Sequence, residues 1–353
     1  MTSVNISGVL GFHHATAIAG EAQPNVDFYA GVLGLRLVKR SVNQDAPEVY
    51  HLFYADAQGT PGTDLTFFPW RTVAPFQAGT GTIVEQGLVV PLDSLSYWQD
   101  RLNAYGVQTE AITEWFGEPV LRFRDPDGMA LALIGSNVER PFIPWDASPV
   151  PPEHQIRGLY VAQICVASSG ATERVLTEIL GFLKVGEAGE WHRFQVGAPG
   201  EMGCGYLDVQ VRSNLSRGRW GRGGMHHLAW RTRDENHLNT LRERVAQAGL
   251  QPTPVIDRFW FRSVYFLEPG GVLFELATDG PGFSVDEDIT HLGERLVLPP
   301  WLEDQRERIE AQLPPLTYPP TELGAYTSRV FKRHSILDGS SRSCADEADL
   351  RRL

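Results

Sequence analysis

The sequence predicts an α+β protein built from four βαβββ modules, paired into two open barrels and followed by a C-terminal arm. Three observations carry this. Four stretches share one plan: a short strand, an amphipathic helix, then several strands. Each helix runs into a glycine placed for a left-handed C-cap, namely Gly34, Gly106, Gly181 and Gly249. The second and fourth stretches share a hairpin, Asp125-Pro-Asp-Gly in one and Glu268-Pro-Gly-Gly in the other. A short sheet with one helix leaves a concave face uncovered, so modules must pair to close a cavity.

Module one has a strand at 13–19, a helix at 26–33, and strands at 35–39, 50–54 and 65–68. Module two has a strand at 87–90, a helix at 95–105 and a strand pair that ends within 123–133. Module three has a strand at 159–166, a helix at 172–180, and strands up to Val211. Module four has a strand at 226–232, a helix at 237–248 and a last strand at 272–277. Apolar residues recur at helical spacing, as in Val26, Tyr29 and Leu33, or Leu95, Trp98 and Leu102, or Leu238, Leu241 and Val245. Asp93 and Asp234 stand where N-caps belong.

The proline-rich run at 137–154 reads as a linker. In sequence order the chain divides into 1–137 (modules one and two), a linker at 138–155, 156–283 (modules three and four), and an arm and tail at 284–353. Within the arm a charged helix is expected at 303–312, between Leu298-Pro-Pro-Trp301 and Leu313-Pro-Pro-Leu316. Residues 317–353 are weakly patterned and expected to be mobile.

Composition narrows the partners. The 353 residues are 42% apolar and 21% charged, with a formal net charge of −12. That balance argues against nucleic acid or an anionic membrane as the main partner. Cys165, Cys204 and Cys344 form no CxxC pair, which suggests reduced thiols and a cytoplasmic setting. No secretory signal and no apolar run long enough to span a bilayer is evident.

The chemistry concentrates in two histidine pairs and a glutamate. His13-His14 opens the first strand of module one, His226-His227 opens module four, and Glu275 lies on module four's last strand. Burying such groups unpaired costs several kcal/mol, roughly 2–7 for a neutral polar group. A metal ion would satisfy them. Neighbours on a strand point to opposite faces, so one histidine of each pair reaches a given cavity. His14, His227 and Glu275 are the expected ligands, a two-His-one-carboxylate set with open positions, typical of non-haem Fe(II) oxygenases. At the matching places of the other modules stand Val161, Ala132 and a residue near Gln86, leaving one metal site. If the ligands are right, modules one and four share one barrel, and two and three the other.

Arg258 and Tyr265 flank the same strands; they read either as substrate-facing groups or as a surface arginine and a core tyrosine. Phe259, Trp260 and Trp230 read as core, with a pocket wall as the alternative. His51 and His192 read as structural.

These residues resemble the vicinal oxygen chelate superfamily, which includes glyoxalase I, bleomycin-resistance proteins and extradiol dioxygenases. Within it the chain is most similar to the dioxygenases that cleave hydroquinone rings. The likeness runs from about Gly11 to Leu316. Its markers are Gly11-Phe-His-His-Ala-Thr-Ala-Ile, Phe28-Tyr-Ala-Gly-Val-Leu-Gly-Leu, Gly62-Thr-Asp-Leu-Thr-Phe-Phe-Pro-Trp70, Pro254-Val-Ile-Asp-Arg258, Asp279-Gly-Pro-Gly-Phe283 and Leu298-Pro-Pro-Trp-Leu302. The resemblance implies Fe(II), with Mn(II) as the alternative, on His14, His227 and Glu275. It implies supporting roles for His13, His226, Arg258 and Tyr265. The expected reaction is O2-dependent opening of a para-diol ring, by a homo-oligomer that binds a small aromatic diol. Either outer histidine would move protons, and Tyr265 and Arg258 would hold substrate or oxyanion. The alternatives are a catechol-cleaving extradiol enzyme, a glyoxalase-like isomerase or transferase, and a metal-free aromatic-binding protein. The isomerase would more often use a further carboxylate ligand, which Ala132 cannot supply.

Overall fold

The structure, a computed structural model, describes residues 8–318. The tail beyond Tyr318, with Cys344, and the segment before Gly8 lie outside the described residues. Sixteen strands fall into the four modules. Module one holds β1 (Phe12–Ala19), β2 (Arg36–Asn43), β3 (Ala46–Ala55) and β4 (Asp64–Pro69). Module two holds β5 (Thr82–Pro91), β6 (Thr113–Trp115), β7 (Glu118–Arg124) and β8 (Ala130–Ser136). Module three holds β9 (Leu159–Val166), β10 (Leu183–Ala188), β11 (Trp191–Val196) and β12 (Gly205–Val211). Module four holds β13 (Gly224–Thr232), β14 (Ile256–Asp257), β15 (Arg262–Leu267) and β16 (Leu273–Thr278).

The strands form two eight-stranded sheets, ordered β14-β15-β16-β13-β1-β4-β3-β2 and β10-β11-β12-β9-β5-β8-β7-β6. Antiparallel pairing of β1 with β13 joins modules one and four, and pairing of β5 with β9 joins two and three. Each sheet therefore draws on both halves of the sequence. One large core holds the helix faces, including Phe28, Trp98, Leu176 and Leu238. A separate cluster around Phe53, Trp260 and Phe261 lies on the inner face of the first sheet, and one around Val89, Ala132 and Val161 on that of the second.

The helices differ in detail from expectation. In module one α1 (Ala22–Val26) starts ahead of Pro24, which a first helical turn tolerates because its missing N–H would be unpaired anyway. It runs into a π-helical turn, Asp27–Val32, closed by Leu33 N–H donating to the Phe28 carbonyl at 2.9 Å. In module two α2 (Leu95–Ala104) is entered through a 3₁₀ turn, Leu92–Ser94. Asp93 lies inside that turn and does not cap the helix. The cap position belongs to Ser94, whose hydroxyl pairs with His154 Nδ1 at 2.9 Å instead. Module three repeats the α-then-π pattern, with α3 (Gly170–Arg174) followed by Val175–Ile179. Only α4 (Glu235–Gln247) has the expected cap, Asp234 accepting from His237 N–H at 2.8 Å. All four expected C-cap glycines are left-handed, from Gly34 at φ +71° to Gly249 at +83°. No helix among the described residues is long and apolar enough to cross a membrane.

The arm is held against module one. Val297 N–H donates to the Arg40 carbonyl at 3.0 Å, and the Tyr50 hydroxyl to the Pro314 carbonyl at 2.9 Å. Its expected single helix is a 3₁₀ turn, Pro300–Gln305, followed by α5 (Arg306–Gln312). Lys39, fully buried on β2, is clamped between Asp286 at 2.7 Å and Glu287 at 2.6 Å.

Candidate metal centre

The register explains how the three expected ligands meet. Ala229 on β13 pairs with His14 on β1 at one side and with Glu275 on β16 at the other. His227 lies two residues before Ala229 and shares its face. Ala229 carries only a methyl group, and the three larger side chains around it bring their donor atoms together. His14 Nε2 lies 3.2 Å from Glu275 Oε2, and His227 Nε2 lies 2.9 Å from the same oxygen. The two Nε2 atoms are 3.2 Å apart.

These separations fit a shared ion. Mutually perpendicular bonds of about 2.1 Å, as N and O ligands make, put donor atoms about 3.0 Å apart on one face of an octahedron. Glu275 Oε1 accepts from the Ser263 hydroxyl at 2.5 Å, but Oε2 is fully buried and has no hydrogen-bond partner. A bare carboxylate oxygen beside two imidazole nitrogens is the donor set a divalent cation satisfies. Among the described residues these three form the group able to hold a metal ion. Burial lowers His227, against the opposing pull of Glu275.

The outer histidines fix the proton positions. His13 Nε2 lies 3.0 Å from the Thr278 carbonyl, which can only accept, so Nε2 carries the proton. Burial first, then His14, lowers the His13 pKa to about 3, so the ring is neutral and its Nδ1 is a lone pair. His14 Nδ1, 2.9 Å away, must therefore be the donor, and in the neutral ring that a metal ligand requires, His14 Nε2 would be the lone pair facing Glu275. His226 Nδ1 meets His227 Nδ1 in the same way, at 2.7 Å. If His227 Nε2 is likewise a lone pair, His226 keeps its proton on Nε2. That atom is buried without a partner, and the ring lines the cavity above the ligands.

The cavity opens to solvent and has about 500 Å³ of empty space once its mouth is counted. Phe53, Phe68, Trp260 and Phe261 line its apolar wall. Of the expected site residues His14, His226, His227, Arg258 and Tyr265 line it; Glu275 is buried at its base, and His13 stands behind His14. The Tyr265 ring lies 5.7 Å from that of His227, and the Arg258 guanidinium 5.5 Å from the Tyr265 ring. Burial first, then Glu275, pushes the Tyr265 hydroxyl up, so it stays protonated. Arg258 Nη1 donates to Asp45 Oδ2 at 2.8 Å.

Some readings change. His51 is not merely structural: it lines the cavity, packed against Phe53 and Phe68 with centroids 3.9 and 4.4 Å away. Its Nε2 meets the Thr66 hydroxyl at 3.1 Å. Its partners come from its own strand and from β4, a link no local pattern reveals. His192 also has a partner, Glu173 at 2.5 Å. Trp260 is pocket wall, whereas Trp230 is core, packed on Phe12, Phe182 and Phe274. Asn43, Gln44 and Asp45, a plain turn in the sequence, form part of the lining.

The second sheet lacks the ligands. Gly87 pairs with Val161 and Ala132 as Ala229 pairs with His14 and Glu275. The counterpart of His227 is then Glu85, one residue from the expected Gln86, since Glu85 pairs with Gln163 as His227 pairs with Thr16. Glu85 is engaged by Arg122 at 3.0 Å.

The sequence profile of the Glyoxalase/Bleomycin resistance protein/Dioxygenase superfamily matches residues 11–133. A Bacillus subtilis (strain 168) protein named as a ring-cleaving dioxygenase, MhqA, is 41% identical over 313 residues, covering 87% of this chain and 99% of that protein. The chain belongs to this superfamily. Within it, the chlorohydroquinone/hydroquinone 1,2-dioxygenase of Sphingobium indicum is 33% identical over 309 residues, 85% of this chain and 95% of that one. A crystal structure of a Bacillus subtilis protein described as a dioxygenase superposes with a TM-score of 0.83 at 38% identity, covering 88% of this chain and 98% of that one. Glyoxalase I of Zea mays, 14% identical with a TM-score of 0.56 over 76% of this chain and 92% of its own, shares the fold.

Proposed function

We propose that the chain is a non-haem Fe(II)-dependent dioxygenase that opens a hydroquinone ring with O2 between a hydroxylated carbon and its neighbour. Mn(II) is the alternative metal. The observation that carries the reading is a facial set of three donor atoms at the base of an aromatic-walled cavity. Relatives named as ring-cleaving dioxygenases, one of them for hydroquinones, support it.

A bound metal would acidify a phenolic hydroxyl and activate O2. The chain's own residues do the rest. His14, His227 and Glu275 would hold the ion. Phe53, Phe68 and Trp260 sandwich a ring and exclude water. The His226 Nε2–H and the Tyr265 hydroxyl donate to substrate oxygen. Arg258, held by Asp45, stabilises negative charge that develops in the transition state. His51, kept neutral by burial, is tied through Nε2 to Thr66 and offers Nδ1 for a substrate proton. His13 acts through His14 and does not reach the cavity. The cytoplasmic setting and homo-oligomeric state belong to the same proposal.

Oxygen uptake by protein loaded with iron under argon, on a panel of para-diols and catechols, tests the reading. Para-diols should be cleaved much faster. Catechol consumed as fast as any para-diol would move the chain to the catechol-cleaving class.

A further inference from the structure

The β2–β3 turn presents a polar group that the proposed reaction leaves unused. Asn43 ends β2, is 2% exposed, and lines the cavity. Its Oδ1 accepts the backbone N–H groups of Asp45 at 2.9 Å and Ala46 at 3.3 Å. This turn fixes the amide, since a flipped side chain would set donors against donors. Nδ2 is then directed away from the turn. It is buried and has no hydrogen-bond partner. Buried donors are nearly always paired, so an orphaned one in a cavity wall marks a place for a ligand acceptor.

The turn is also pinned in place. Gln44 Nε2 donates to the Arg258 carbonyl at 2.9 Å, and Asp45 takes the Arg258 guanidinium at 2.8 Å. Module one's turn and module four's loop thus make one rim. In the sheet β2 is the outer strand, separated from β1 by β4 and β3. That is about 14 Å along the sheet, which curls to bring β2 opposite the ligand strands.

Resting on the para-diol reading, we propose that Asn43 is a specificity-determining residue. Its Nδ2–H donates to the ring oxygen remote from His14, His227 and Glu275. A para-diol held by one oxygen at the ligand end offers its other oxygen to this wall. A catechol with both oxygens at the ligand end offers only carbon.

The test is anaerobic calorimetry of the iron-loaded protein with hydroquinone and with phenol, which lacks the remote oxygen. Wild type should bind hydroquinone about tenfold more tightly than phenol, the order expected for one satisfied buried donor. Asn43→Asp keeps the turn's acceptor and replaces the donor with an acceptor, so the preference should vanish. Asn43→Ser also keeps a turn acceptor without adding charge, and should bring the ratio close to one. Unfolding is scored by circular dichroism, and either folded variant suffices. A hydroquinone-to-phenol ratio unchanged from wild type in a folded variant overturns the inference. So does a wild type that cleaves hydroquinone yet shows no preference over phenol. A wild type that consumes no oxygen with any para-diol overturns the proposed function instead, and is recognised separately by the uptake assay.

Discussion

The Nε2 atoms of His14 and His227 lie 3.2 Å apart although 213 positions separate the residues in the chain. Only pairing of the first module with the last produces that approach. The protein should bind about one iron per chain, as one facial triad requires. His227→Ala and Glu275→Ala should each remove iron and oxygen uptake together while leaving the circular dichroism spectrum unchanged. Full iron content in both variants, by elemental analysis, would refute the ligand assignment.

Ala229 tests the same geometry without touching a ligand. It is fully buried, with His14 and Glu275 as its cross-strand neighbours. Leucine there fills the space where the three donors meet, at an overpacking cost of about 1–3 kcal/mol. Ala229→Leu should melt lower and purify without iron, whereas Ala229→Gly should keep it. Iron retained at wild-type affinity in the leucine variant contradicts the convergence described.

In the proposed centre His13 would orient His14 without entering the cavity. Its bonds to the Thr278 carbonyl and to His14 Nδ1 select the lone pair on His14 Nε2. Loss of such an outer partner typically weakens metal binding about 10- to 100-fold. His13→Ala should show that loss in a chelator competition. Activity at saturating iron should recover at least in part. An unaltered metal affinity means that the His13–His14 contact does not set the ligand's proton.

On the proposed function, Tyr265 would separate holding the metal from using it. It pairs with Glu275 across β15 and β16 but is not one of the three donors. Tyr265→Phe should keep iron and lower kcat by about 10²-fold, the order seen when one transition-state donor is removed. A variant with normal kcat excludes the hydroxyl from the reaction.

Lys39 carries a stability prediction. Its fully buried ammonium lies between Asp286 and Glu287 and also donates to the Phe283 carbonyl at 3.0 Å. Removing one partner of a buried charge cluster costs about 3–5 kcal/mol, because the remaining charges stay buried unpaired. Lys39→Ala should lower denaturant stability by that amount. Asp286 also accepts from Trp260 Nε1 at 3.0 Å, so the pocket wall should loosen and KM should rise as well. A change within about 0.5 kcal/mol, typical of surface sites, would show that the cluster contributes nothing net.

Much of this protein was legible in one dimension. Repeated strand–helix–glycine units and the twin hairpins identified four modules, because left-handed caps and tight turns impose residue types at fixed spacing. Two adjacent-histidine pairs and one strand glutamate pointed to a metal, because such groups are rarely buried without a partner. Their division between modules one and four even implied which modules share a sheet. The first helix starts ahead of its expected position because a first turn tolerates Pro24, and the expected Asp93 cap fails because Ser94 holds the cap position and turns to His154 rather than to its own helix. What only the tertiary structure decided is the cavity wall. His51 meets Thr66 across a strand pair, Asp45 meets Arg258 across two modules, and Asn43 is left with a bare amide by its own turn. None of these has a sequence period, because each depends on which strands lie side by side and how far the sheet curls. Ligand type is a local property of the residue; pocket shape is a property of contacts between distant segments, and the chain states those only once it is folded.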